Sequence, residues 1–365
     1  MDKRDNIQRE ALATALKNPR CGLGVSMGVG KTLIGLKYID RLRDKYRGNY
    51  RVLVVAPKLS IFESWKNDAL KFNISTDNIE FTTYLSLNKH SATDYDVIVL
   101  DECHSLLDSH RDFFGYYDGR ILGLTGTPPK WRDSEKGRMV EQFCPIMYRY
   151  ITDDAVDDNI LNDYQIIVHF VKMDRKKNIE MKTKQGKTWW TSELDSYEYW
   201  SNRVISTQGK SKQIASVLRM KQMQEYKSKE VYAKQLFDSI KEKCILFANT
   251  QDQADRLCEY SYHSKNPDSE ASLSLFSNDH ISKLSCVLQL SEGVNIPNLR
   301  AGVIMHAYGN ERKASQRIGR MLRLNPDDTA TIHILCYKGT IDEKWVRDAL
   351  EGFNEEKIIF KDYEY

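Results

Sequence analysis

The 365-residue sequence predicts an α/β chain of two lobes, each a mostly parallel sheet flanked by helices. Two observations carry that prediction. Short apolar, β-branched runs alternate with helix-length segments twice along the chain, the pattern of parallel strands joined by crossover helices. A glycine-rich turn, Gly28-Val29-Gly30-Lys31-Thr32, stands between a strand-like run and a helix-like one, as phosphate-binding turns of such sheets do.

In the first series, 20–25 is a short apolar run that reads as a buried strand, and Leu33, Ile34, Leu36, Tyr38, Ile39 and Leu42 continue at helical spacing. Further strands are expected at 52–56, 79–82, 97–100 and 121–125. The second series is expected at 244–248, 285–290, 302–306 and 331–336. Lobe 1 is placed at 1–150, a connector at 151–232 and lobe 2 at 233–365. The connector opens acidic, holds one strand-like run at 165–171, and turns basic and helical.

The chemistry follows from what the strands deliver. Backbone N–H groups of Met27 to Gly30 can wrap phosphate oxygens, Lys31 can reach the β- and γ-phosphates, and the Thr32 hydroxyl can bind Mg²⁺. The run 97–100 ends in Asp101 and Glu102, at the carboxyl end of a strand where open α/β sheets bind ligands. Asp101 suits the Mg²⁺ shell and Glu102 suits orienting or deprotonating an attacking water. The expected cofactors are therefore ATP and Mg²⁺. Cys103 reads as a small residue packed behind the carboxylates, not as a nucleophile.

Composition bounds the rest. The 41% hydrophobic content is enough for sizeable cores. Seven cysteines are scattered without a Cys-x-x-Cys pair, which suits buried free thiols in a reducing compartment. The start lacks an apolar signal core, and no stretch nears the roughly 20 apolar residues of a membrane span. A cytoplasmic protein, bacterial or from a phage-infected host, is expected. The net charge is +3, but residues 172–234 carry 15 Lys and Arg against 7 Asp and Glu. Trp189, Trp190, Tyr197, Tyr199 and Trp200 lie among those charges. That mixture suits a phosphate backbone with exposed bases, and equally a solvated helical connector whose aromatics pack on a lobe.

With these motifs the chain resembles a superfamily 2 helicase or translocase. Gln8 lies where the family's adenine-reading glutamine stands, and Gly28 to Thr32 match its phosphate loop. Asp101-Glu102-Cys103-His104 is similar to the DEAH box, Thr125-Gly126-Thr127-Pro128 to the third motif, and Gln316-Arg317-Ile318-Gly319-Arg320-Met321-Leu322-Arg323 to the sixth. The resemblance implies two RecA-like lobes with the ATP site in the cleft between them. The run 52–60 with Trp65, together with Thr82-Thr83-Tyr84, is similar to the first lobe of Snf2-type DNA translocases. Ser291-Glu292-Gly293-Val294-Asn295-Ile296-Pro297 and the sixth motif look more like phage UvsW-type helicases.

The resemblance further implies that Arg320 and Arg323 approach the transferred phosphate, and that Gln316 contacts it or the water. Two cations there stabilise charge that develops in the transition state. Asn295 stands where many relatives have Asp, near the ribose or the metal network. His104, Thr125 and Thr127 would relay nucleotide state. Pro57, Lys58, Thr83, Tyr84, Asn249, Thr250, Ser291 and Gly293 would line a nucleic-acid track read without sequence preference. The implied activity is ATP-dependent movement of a monomer on duplex or branched DNA. With no appended domain, little material is expected for a strand-separating wedge. Rival readings are an RNA-dependent helicase and a nucleotide-dependent protein-binding switch.

Overall fold

The computed structural model describes residues 3–26, 28–46, 50–129, 132–158, 160–182, 186, 188–287, 296–307, 328–350 and 353–362. Two compact units divide the chain: residues 1–162 with 291–294, and residues 163–290 with 295–365.

The first unit holds β1 (Arg20–Val25), β2 (Val52–Ala56), β3 (Ile79–Thr83), β4 (Val97–Asp101), β5 (Arg120–Thr125) and β6 (Ile146–Tyr150). They form one sheet in the order β3-β2-β4-β5-β1-β6, parallel at every pairing. Every residue of β2, β4 and β5 is buried, as strands covered on both faces must be. Because all six run the same way, their carboxyl ends share one edge. That edge collects the phosphate loop after β1, Pro57-Lys58 after β2, Glu102 after β4 and Gly126-Thr127 after β5. The expected strands fall within a residue of their observed bounds, and β6 is an addition at the sheet's end.

The helix Lys3–Lys17 is fastened to this sheet by a buried arginine. Arg120 donates from one guanidinium nitrogen to the carbonyls of Ala15 (3.0 Å), Leu16 (2.8 Å) and Asn18 (3.0 Å). Its Nε donates to the Tyr38 hydroxyl at 2.8 Å. The last carbonyls of a helix lack intrahelical partners, so a cation there satisfies them and complements the helix dipole.

The second unit begins with β7 (Asp163–Val171), continues through β8 (Ile179–Lys182) and β9 (Thr188–Thr191), and then builds β10 (Cys244–Ala248), β11 (Ser261–Tyr262), β12 (Lys283–Val287), β13 (Ala301–Ile304), β14 (Thr329–Tyr337) and β15 (Ile358–Asp362). Seven strands form a parallel sheet in the order β11-β12-β10-β13-β14-β7-β15, while β8 and β9 pair antiparallel on their own. The placement of a connector at 151–232 needs correcting here. Its strand-like run is β7, inserted between β14 and β15 and in register with β14 over nine residues. The run 165–171 is apolar because it is a central strand of the second sheet. The expected strand at 285–290 begins at 283 and is described to 287, and residues 288–290 lie outside the described residues.

A buried ion pair sits in this unit. Lys229 and Asp342, both without solvent exposure, are bonded to each other. Lys229 also donates to the Leu335 carbonyl at 3.3 Å and lies 4.3 Å from the centre of the Tyr337 ring. Such a pair is tolerated because further hydrogen bonds replace lost solvation.

Candidate active site

Gly28 and Gly30 have φ of 87° and 99°, the left-handed region that glycine enters without steric cost. They turn the chain from β1 into the helix Lys31–Lys45, whose first backbone N–H groups face the loop as a ready anion site. Gln8 packs against this turn. Its Nε2 donates to the Val29 carbonyl at 2.8 Å, and its Oε1 accepts from Lys37 Nζ at 3.2 Å. A Cβ on Gly30 would stand 2.8 Å from Gln8 Nε2, and its φ of 99° would strain any larger residue.

At the end of β4, Asp101 is buried and its Oδ2 accepts from Trp65 Nε1 at 2.8 Å. The Trp65 ring packs against Gly35 of the helix Lys31–Lys45, where a Cβ would meet its Cη2 at 2.5 Å. One indole thus joins the phosphate-loop helix to the β4 carboxylate. Burial and the adjacent Glu102 charge lift the Asp101 carboxyl to about 6, against the opposing effects of the Trp65 bond and the Lys31 cation. A divalent cation would reverse that balance and hold Asp101 ionised.

Glu102 follows in the left-handed conformation, φ 52° and ψ 55°, a strained setting for a residue with a Cβ and common at functional sites. Its Oε2 lies 3.4 Å from His104 Nδ1 and accepts from Thr125 Oγ1 at 3.4 Å. His104 is itself bonded to Thr125 and lies 3.3 Å from Thr127 Oγ1, while Thr127 N donates to Thr125 Oγ1 at 3.1 Å. The ends of β4 and β5 are therefore joined by one polar network. Cys103 is buried with its thiol pushed well above the ordinary value, chiefly by Cys144 and then by burial, so it packs behind the carboxylates as an inert thiol.

The donor set fits a nucleotide triphosphate with a divalent cation. It combines a two-glycine turn at a helix N-terminus, Lys31 and Thr32 at the start of that helix, and two carboxylates on the same sheet edge. Thr32 and Asp101 are the residues that would hold the cation.

Several expected contacts sit elsewhere than the sequence suggested. Tyr84 is buried, and its hydroxyl donates to the Asp101 carbonyl at 3.0 Å, so it braces β4 and offers no surface to a nucleic acid. Asn249 is buried as well, and Thr250 Oγ1 accepts from Gln253 N at 3.2 Å as the cap of the helix Gln251–Leu257. Pro57, Lys58 and Thr83 stand on the carboxyl edge of the first sheet, with Lys58 exposed. Met27, Ser291, Gly293, Asn295, Gln316, Arg320 and Arg323 lie outside the described residues. Arg120 carried no motif, and no local pattern in the sequence marks it.

Residues 3–79 match the res subunit of type III restriction enzymes, and residues 227–325 match the helicase conserved C-terminal domain. These two domains, in this order, support a superfamily 2 helicase. The chain is an ATP-dependent enzyme of the helicase and translocase kind, and that superfamily typically takes ATP with Mg²⁺. A curated relative, the DNA 3'-5' translocase XPB2 of Sulfurisphaera tokodaii, is 24% identical over 94% of this chain and 83% of its own length. The helicase domain of Hef from Pyrococcus furiosus shares the fold, with a TM-score of 0.51 at 16% identity over 95% of this chain and 97% of that one. The type ISP restriction-modification enzyme LlaBIII, solved bound to DNA, superposes with a TM-score of 0.63 at 14% identity. This chain is covered over 99% of its length in that superposition and spans 31% of that enzyme.

Proposed function

We propose that the chain is an ATP-driven DNA helicase or translocase that moves on duplex or branched DNA, with remodelling, branch migration, annealing or limited unwinding as its output. The observation that carries this reading is the network at the carboxyl edge of the first sheet, where the phosphate loop, Asp101, Glu102, His104, Thr125 and Thr127 converge. Bound ATP would supply the phosphoanhydride, and Mg²⁺ would screen the oxygens on which charge develops. Lys31 would hold the terminal phosphates and Glu102 would orient the attacking water. Gln316, Arg320 and Arg323 would complete the site from the second lobe, so that hydrolysis depends on closure. His104, bonded to both threonines after β5, is the natural relay between the carboxylate and that segment.

DNA is favoured over RNA by two relatives: one is a DNA 3'-5' translocase and another is a restriction enzyme bound to DNA. The Snf2-type likeness of the first lobe points the same way, and the UvsW-type likeness of the second suggests repair or recombination. A monomer acting in the cytoplasm of a bacterium or phage-infected cell completes the reading. No helix among the described residues is long and apolar enough to cross a membrane.

The test is the steady-state ATPase rate with single-stranded DNA, duplex DNA, a fork, a four-way junction and RNA, beside a Lys31→Ala control. Stimulation of about tenfold or more by duplex or branched DNA, lost in the control, is expected. Stimulation by RNA alone would transfer the chain to the RNA helicases. A slow rate indifferent to every nucleic acid would leave the protein-binding switch.

A further inference from the structure

Between β7 and β10 the second unit extends a helical arm, within the stretch that the sequence predicts to be basic and helical. The helices Glu193–Ser206 and Gly209–Glu225 run out and back, packed on each other, with residues 207 and 208 as the turn. The base of the arm is fastened into the lobe. Buried Glu193 accepts from Asp174 N and from Ser228 N, each at 2.9 Å, and the Tyr197 hydroxyl accepts from Ile341 N at 2.9 Å. Met223 and Tyr226 are buried in the second unit's core. One level up, Arg219 lies over the Tyr197 ring at 5.9 Å and donates to Ser201 Oγ at 3.4 Å.

Beyond that level most side chains face solvent, with Ala215 buried between the helices' outer parts and Val204 half-buried. Asn202, Arg203, Ile205 and Ser206 on the outgoing helix are exposed, as are Lys210 to Ile214 on the return. Ile205 at 82% and Ile214 at 60% exposure stand on either side of the turn, too open to belong to any core of this chain. The charge is one-sided. Residues 199–224 contain Arg203, Lys210, Lys212, Arg219 and Lys221 and neither Asp nor Glu. Among the described residues no ion pair engages Arg203, Lys210, Lys212 or Lys221, although lysines and arginines on nearby helices are paired. Ordinary surface helices interleave both signs, which limits self-repulsion. An uncompensated run of cations on a projecting element is the footprint of a polyanion.

We propose that this two-helix arm is a DNA-binding element, additional to the sheet-edge track, that grips the phosphate backbone with Arg203, Lys210, Lys212 and Lys221 and presses Ile205 and Ile214 against the sugars or bases at its tip. The proposal rests on the DNA reading above. The return helix, 17 residues long, spans about 25 Å at 1.5 Å per residue, enough to follow several phosphates. Phosphate contacts of this kind are independent of sequence, as a motor that moves along DNA requires. Apolar side chains at the tip can wedge against base steps in the manner of architectural proteins.

The experiment uses the full chain and a fluorescent forked DNA, with anisotropy titrations from about 50 to 200 mM KCl, the range over which phosphate contacts declare themselves. A Lys210→Gln/Lys212→Gln/Lys221→Gln variant should bind at least about tenfold more weakly and lose roughly one unit of salt slope per cation that touched phosphate. Its melting temperature and DNA-free ATPase rate should stay at wild-type values, since all three positions are exposed. An Ile205→Ser/Ile214→Ser variant should keep the slope and lose affinity for the fork more than for blunt duplex. Unchanged affinity and slope in the lysine variant, with wild type binding normally, would overturn the arm alone and leave the DNA reading standing. Weaker binding at an unchanged slope would overturn the phosphate grip. Failure of wild type to bind any DNA would remove the DNA reading and the arm together.

Discussion

Trp65 Nε1 donates to Asp101 Oδ2 at 2.8 Å while the same indole lies against Gly35 of the phosphate-loop helix. The carboxylate expected to share the Mg²⁺ shell is thereby held at a set distance from the loop expected to hold the phosphates. Both partners are buried, so the bond is made without competition from water and opposes the burial that would protonate Asp101.

Trp65→Phe keeps most of the packing and deletes the donor. The expected result is a fall of about tenfold in kcat, the scale of one charge-assisted hydrogen bond lost from a buried group, with partial recovery at raised Mg²⁺. Steady-state ATPase at several Mg²⁺ concentrations measures it. An unaltered rate would mean that Asp101 is oriented without the indole.

Arg120→Met tests the staple that fastens the first helix. Three carbonyls and the Tyr38 hydroxyl lose their donor, which should cost about 2–4 kcal/mol in urea unfolding of the first unit. Gln8 rides on that helix, so KM for ATP should rise more than kcat falls. A variant with wild-type stability would refute the assignment.

His169 and His333 meet on the adjacent strands β7 and β14, with His169 Nε2 2.9 Å from His333 Nδ1 and His169 Nδ1 2.7 Å from the Tyr232 hydroxyl. Burial, the facing His333 and then Lys361 lower His169 to about 3, while burial and Lys361 lower His333 to about 4. The folded pair stays neutral where the unfolded chain, near 6.5, takes up protons. Stability is therefore full above about pH 6.5 and declines as pH falls toward 4, by something on the order of 1–3 kcal/mol between pH 7 and pH 5. Urea unfolding at those two pH values checks it, and His169→Phe/His333→Leu should flatten the difference. A slope that persists in the double variant would place its origin in other groups.

How far the sequence reached is clearest in particular residues. The strand runs 52–56 and 244–248 were legible to the residue, because a central parallel strand is apolar throughout and needs no partner to be recognised. The positions of the two-glycine turn and of Asp101-Glu102 were legible for a related reason: each is a run of adjacent residues at a strand's end. Tyr84 and Asn249 were placed on a surface they do not reach, since nothing local distinguishes a buried tyrosine from an exposed one. The segment holding the helical arm at 193–225 was read as a basic, helical connector suited equally to a phosphate backbone and to a solvated linker, because composition alone does not show which cations are left without acidic partners.

By itself, then, the sequence determined two parallel α/β lobes, the two-glycine turn after β1 and the carboxylate pair after β4, all of which depend on residues adjacent or one helical turn apart. Tertiary structure alone decided that Trp65 holds Asp101, that Arg120 ties the first helix to β5, that β7 belongs to the second sheet between β14 and β15, and that the two helices of the arm pack on each other with their acids at the base. Each of the first three joins segments tens to more than a hundred residues apart. Such pairings are chosen by the free energy of burying whole surfaces together, which leaves no periodic trace in either segment.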